Sequence, residues 1–114
     1  MGGQMREPII IPDDMKEIKD IVQKEKQEYK HLEICKELNE LYKVKNSDYG
    51  NPFSKTYETF GMTAPLCRIY DKVNRLVELN KSYNQKVKDE SIRDSLIDLA
   101  NYAILTIMEL GKKE

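Results

Sequence analysis

Tryptophan is absent from the chain and phenylalanine occurs only twice, so the large apolar surface has to come mainly from tyrosine and the aliphatic residues. One histidine, His31, excludes a histidine-centred triad; it reads as a surface or capping residue. Two cysteines, Cys35 and Cys67, form no CxxC pair and no secreted disulfide framework, and both read as small buried side chains. There is no long apolar run, so neither a transmembrane helix nor a signal peptide is expected, and a cytoplasmic address follows. A net charge of −1 offers no general attraction to nucleic acid or to an anionic membrane. Neither a P-loop nor a dinucleotide-type glycine pattern occurs.

What remains is helix-forming. The sequence shows no strand alternation, repeat or low-complexity tract, and predicts one all-α domain over residues 13–114 behind a flexible N-terminal arm, 1–12. Three to four helices should pack as a bundle. Their apolar stripes are narrow, which predicts a homo-oligomer, a dimer or tetramer, that completes the burial. The first helix opens at Asp13 and Asp14 and runs to about Lys45 with no Pro or Gly inside it. Its stripe shifts, from Ile18, Ile21, Val22, Tyr29 and Leu32 to Cys35, Leu38, Leu41 and Tyr42, so a break near Tyr29–Leu32 is expected, the alternative being two halves that pack on different partners. Residues 46–62 carry two Gly, a Pro and two Asn, and read as a long irregular loop. A helix capped by Thr63, with Pro65 in its first turn, should run to about Asn80. After a polar linker, the last helix should open at Asp89 and stop at Gly111.

That last helix carries Ile92, Leu96, Leu99, Ala103, Ile107 and Leu110 as a core stripe. Opposite them stand Glu90, Asp94, Asp98 and Asn101, among further apolar residues. A helix apolar nearly all round is an enclosed helix, and stacked carboxylates on a covered face need a cation or an arginine. Magnesium suits that task, taking oxygen ligands while keeping waters for contact with phosphates; a structural ion-pair network is the alternative. Glu33, Glu37 and Glu40 share a face of the first helix, which reads as solvated unless it meets the other acids as one wall of a metal cage. Arg68, Asp71, Lys72 and Arg75 follow one another at helical spacing. Such a row can grip phosphate oxygens with forked donors, or pair with the acids of the last helix. Lys45, Asn46, Asp48 and Tyr49 offer a cation, an amide, an acid and an aromatic beside Gly50, suited to a base and sugar. They equally suit an ordinary turn.

The segments LYKVKNSDYGNPF, RIYDKVNRLVEL and DESIRDSLIDLANYAI together resemble the nucleotide-modification-associated domain 1 family, found largely in phages, over roughly Glu37 to Leu110. The resemblance implies a role in the synthesis or turnover of modified nucleotides, in a phage- or prophage-encoded protein of a bacterial cell. More distantly, the pattern is similar to the all-α MazG and dimeric dUTPase-type nucleoside triphosphate pyrophosphohydrolases. Those hold magnesium on an E-x-x-E helix, matched by Glu37 and Glu40, and an E-x-x-D helix, matched at Asp94. The second Glu is displaced to Glu90, and Asp98 stands one turn further on. The reading so implied is a magnesium enzyme with Glu37, Glu40, Glu90 and Asp94 as metal ligands and catalytic residues. Lys45, Asn46, Asp48, Tyr49, Arg68, Lys72, Arg75, Asp98 and Asn101 would hold the nucleotide. A non-catalytic nucleotide binder and a helical interaction module are the competing readings.

Overall fold

The computed structural model describes residues 15–49 and 51–112, and of Ser47, Asp48, Tyr49 and Val87 only the backbone. The arm at 1–12 and the helix start at Asp13 and Asp14 lie outside the described residues. Among those described the chain is all helical, with α1 at Lys16–Tyr49, α2 at Pro52–Phe60, α3 at Thr63–Asn80 and α4 at Gln85–Gly111. No helix among them is long and apolar enough to cross a membrane.

The expected break near Tyr29–Leu32 does not occur. Helix α1 is continuous, because its Glu, Lys, Gln and Leu residues all favour the helix and nothing inside it breaks the backbone. The shift of its apolar stripe instead coincides with a division of the chain into two compact units, 1–36 and 37–114. In the first unit Ile18, Ile21, Val22, Tyr29 and Leu32 are all exposed. Cys35 is exposed too, with its sulfur 3.8 Å from His31 Nδ1 one turn back, and Cys67 is exposed on α3, against the expectation that both are buried.

In the second unit, much of the segment expected to be an irregular loop is helical. The backbone of α1 continues to Tyr49, and α2 follows at once. Asn51 caps α2, its Oδ1 accepting the Ser54 N–H at 3.3 Å, while Pro52 fills the first helical position, where no N–H is needed. Gly61 closes α2, its N–H donating to the Tyr57 carbonyl at 2.7 Å with φ +65°. A Cβ added there would meet nothing within 4 Å. Gly61→Ala should therefore cost about 1–3 kcal/mol from backbone strain alone, read as a lower melting midpoint with unchanged helix content.

Thr63 is the first residue of α3 and does not cap it; Met62 occupies the cap position without a side-chain hydrogen bond. The reason is the short joint. Ala64 N–H reaches Gly61 O and Leu66 N–H reaches Met62 O, both at 3.2 Å, so the backbone turns straight into α3. Helix α4 begins at Gln85, four residues before the expected cap at Asp89. The Asp89 carboxylate instead accepts the Gln85 side-chain amide at 2.6 Å, one turn back.

Helices α3 and α4 form the closest pair and run antiparallel. Arg75 Nε donates to Ser95 Oγ at 3.2 Å, and Lys72 Nζ lies 3.0 Å from Asp98 Oδ2. Each step along α3 towards its start is thus matched by a step along α4 towards its end. The α4 residues buried in the unit are small or polar: Ser95, Thr106 and Glu109. Ser95 and Thr106 return their hydroxyl protons to carbonyls one turn back, Ser91 O at 2.8 Å and Tyr102 O at 2.6 Å, which allows their burial. The expected core stripe of α4 is accordingly corrected. Ile92 and Leu99 are half-buried, whereas Leu96, Ala103, Ile107 and Leu110 are exposed. Leu38 and Tyr57 are the large apolar side chains that the described unit buries most fully.

Glu109 ties α4 to α2. Lys112 Nζ donates to Glu109 Oε1 and to Ser54 Oγ, each at 2.9 Å. Hydrogen bonds from Lys112 and Ser54, with the Lys112 charge behind them, hold the Glu109 carboxyl below its ordinary 4.5. A carboxyl depressed in the folded state stabilises it above the unfolded pKa, and that contribution fades as pH falls through the folded value. Acid titration below pH 4.5 should thus lower the melting midpoint less steeply in Glu109→Gln than in the parent.

Candidate functional site

The register of α3 against α4 creates a row of paired side chains. Arg75 faces Ser95, Lys72 faces Asp98, and one further step brings Arg68 beside Tyr102. At that last step α2 closes the side. A cavity of about 190 Å³ opens there, lined by Pro52, Phe53, Thr56, Ala64, Arg68 and Tyr102. The Phe53 and Tyr102 rings stack with centroids 6.2 Å apart and planes inclined by 25°. Phe53, Tyr102, Pro52 and Ala64 make the lining largely apolar, and Arg68 adds a cation to it. Among the described residues Arg68 makes no ion pair, so its donors are open to a ligand. That combination accepts a flat, electron-rich ring carrying an anionic group.

Beyond the cavity the cations are already engaged. Asp98 is half-buried and takes both Lys72 at 3.0 Å and Lys45 at 3.7 Å. Arg75 is held by Ser95. Of the row read from sequence as a phosphate grip, only Arg68 is left uncommitted. Asn101 is half-buried, one residue before Tyr102, and Asn46 is exposed. The side chains of Asp48 and Tyr49 lie outside the described set.

The acids expected as metal ligands are not brought together. Glu37 receives both Arg93 guanidinium nitrogens, at 3.0 and 2.7 Å, and this fork holds its carboxyl below the usual range and raises Arg93. Glu40 pairs with Lys43 at 3.2 Å on its own helix. Glu90 and Asp94 are exposed, with no ion pair among the described residues, which corrects the expectation that this side of α4 is walled in. Only Asp98 meets that expectation. Of the apolar residues that suggested enclosure, Ile104 and Met108 are exposed, while Ile97 and Leu105 are half-buried. No group of three acidic, histidine or cysteine side chains among the described residues converges as a metal site would. The arrangement described does not fit a magnesium cage.

Phe53, Thr56 and Tyr102 were not singled out from sequence. The signal was present: Asn51-Pro52 is a helix opening, and it sets Phe53 and Tyr57 one turn apart on the same side.

A family model described as nucleotide modification associated domain 1 matches residues 45–110, more than half of the chain. The chain belongs to this family. No curated protein and no solved structure matches it. The matched segment, from Lys45 to Leu110, contains every residue lining the cavity. Glu37 and Glu40 fall outside it, so the match lends nothing to the E-x-x-E element that the comparison with MazG-type enzymes needs.

Proposed function

We propose that this nucleotide-modification-associated domain binds a nucleotide, with the base against Phe53 and Tyr102 and the phosphate on Arg68. The observation that carries the reading is an uncommitted guanidinium at the edge of an aromatic cavity, inside the segment that defines the family. A slot of about 190 Å³ suits one base, with the sugar and phosphates reaching out past Arg68 towards Lys72 and Asp98. Lys72 and Lys45 would assist once phosphate competes with Asp98 for them. A screen of ordinary and modified nucleotides by thermal shift tests the proposal, because a ligand that binds only the folded chain raises its melting midpoint. A full panel without any shift would sink it.

Magnesium-dependent release of pyrophosphate is the second reading. It is motivated by Glu90 and Asp94, which lie one turn apart on α4 and make no ion pair among the described residues, with Asp94 adding its charge to the field at Arg93. It requires Glu37 to leave Arg93. Arg93→Ala should then raise magnesium affinity in calorimetry and yield pyrophosphate from a nucleoside triphosphate. No release from either protein removes this reading and leaves binding to the thermal-shift screen. A homo-oligomer belongs to the proposal as well. A cytoplasmic address and a phage or prophage origin are part of the same proposal.

A further inference from the structure

Past the cavity, the row between α3 and α4 changes character at one carboxylate. Lys72 follows Arg68 by one turn on α3, and Asp98 precedes Tyr102 by one turn on α4. The Asp98 carboxylate thus lies about 5.4 Å along the pair from the cavity step. It takes Lys72 at 3.0 Å and Lys45 at 3.7 Å. Two lysines on one carboxylate leave one positive charge over, and Arg68 adds a second. Beyond them Arg75 is accompanied by Asp71 and Asp94, one cation against two acids. In the opposite direction the pair is closed, since Pro65 and Thr106 are buried and Ala64 is half-buried. Within the pair, a phosphate chain leaving the cavity therefore runs onto Asp98.

We infer that the site takes a nucleoside monophosphate, and that Asp98 is the specificity residue that sets this limit. The inference rests on the binding proposal above and names its substrate class. A phosphate monoester carries about two negative charges at neutral pH, which the net charge of these two steps matches. It meets Arg68 without breaking any ion pair among the described residues. Every further phosphate depends on the lysines and must take them from Asp98. The second and third phosphates of a triphosphate extend over a length comparable with one helical turn, which brings them onto that carboxylate. Exchanging one anion for another around the same lysines gains little, and it strips a half-buried carboxylate of its partners. A monophosphate ligand also stands against the pyrophosphate-releasing reading, which needs a triphosphate.

Calorimetry in EDTA on the full-length chain reads the ranking directly, with the mono-, di- and triphosphates of deoxyadenosine, deoxycytidine, deoxyguanosine and thymidine as probes. The parent should bind a monophosphate about tenfold more tightly than the matching triphosphate. Asp98→Asn keeps the side-chain size and releases both lysines. It should raise triphosphate affinity about tenfold and monophosphate affinity less, so the ranking narrows or reverses. Glu78→Gln makes the same change of charge on α3, where Glu78 pairs with Lys81, and should keep the parent's ranking. A triphosphate that binds the parent as tightly as the monophosphate, or more tightly, overturns the inference and leaves the binding proposal standing. An equal change in all three affinities in Asp98→Asn gives Asp98 a merely structural role and overturns the inference too. Should Asp98→Asn not fold, the ranking in the parent decides by itself. No binding by any probe also overturns it, and the wider thermal-shift screen then judges the binding proposal.

Discussion

Arg68→Ala should abolish the nucleotide-induced rise in melting midpoint and weaken binding at least tenfold, with the helical signal unchanged. A charge-assisted hydrogen bond to an ionised group is worth about 1.5–3 kcal/mol, and about 1.4 kcal/mol is a factor of ten in affinity. Folding should tolerate the change, since Arg68 is exposed and makes no ion pair among the described residues. Arg68→Lys keeps the charge but loses the planar fork at the cavity that Phe53 and Tyr102 also line, so an intermediate loss is expected. Arg75→Ala is the control from the same row. Arg75 is bound to Ser95, and removing it should lower the melting midpoint modestly while leaving affinity within about twofold. Full affinity in Arg68→Ala, or an equal loss in Arg75→Ala, would show that the cavity is not where the nucleotide sits. Arg68, Lys72 and Arg75 share a helix face; only their partners across the interface separate them.

Those partners mark what the sequence leaves unread. The spacing of Arg68, Lys72 and Arg75 is local information, and it places all three on the face that meets α4. That Arg75 reaches Ser95, Lys72 reaches Asp98 and Arg68 is left free depends on the antiparallel register, a long-range fact that helical periodicity does not contain. The Glu37–Arg93 fork joins residues 56 positions apart and is invisible for the same reason. It engages the first Glu of the E-x-x-E spacing with a cation of the chain itself, which the spacing alone does not reveal. Helix α2 is a different case. Its signals were local, an Asn cap and a Pro at the first helical position, but they stand among glycines and polar residues that equally form loops. The continuity of α1 was legible from its composition. The shifted stripe pointed the other way because a change of packing partner does not require a change of backbone.

Tyr57→Ala should be the most destabilising substitution on α2, costing about 3–4 kcal/mol by the scale of buried aromatic deletions. Tyr57 is 8% exposed and is one of the two large apolar side chains most fully buried in the described unit. It stands beside Glu109, Lys112 and the Gly61 turn, and its carbonyl holds the N–H that ends α2. Its removal opens the Ser54–Lys112–Glu109 tie to water as well as leaving a void, so α2 should detach from α4. Because Phe53 and Thr56 ride on α2, nucleotide binding should fail in the same variant. This loss would differ from that of Arg68→Ala in coming with a lower denaturation midpoint. A small domain holds only about 5–15 kcal/mol in all, so the loss is a large share of its stability. Tyr83, which is fully solvent-exposed, provides the contrast: Tyr83→Ala should leave the denaturation midpoint within about 0.5 kcal/mol of the parent. If chemical denaturation finds the two tyrosine variants alike, α2 is not docked on α4 in solution, and the cavity that depends on it is not formed.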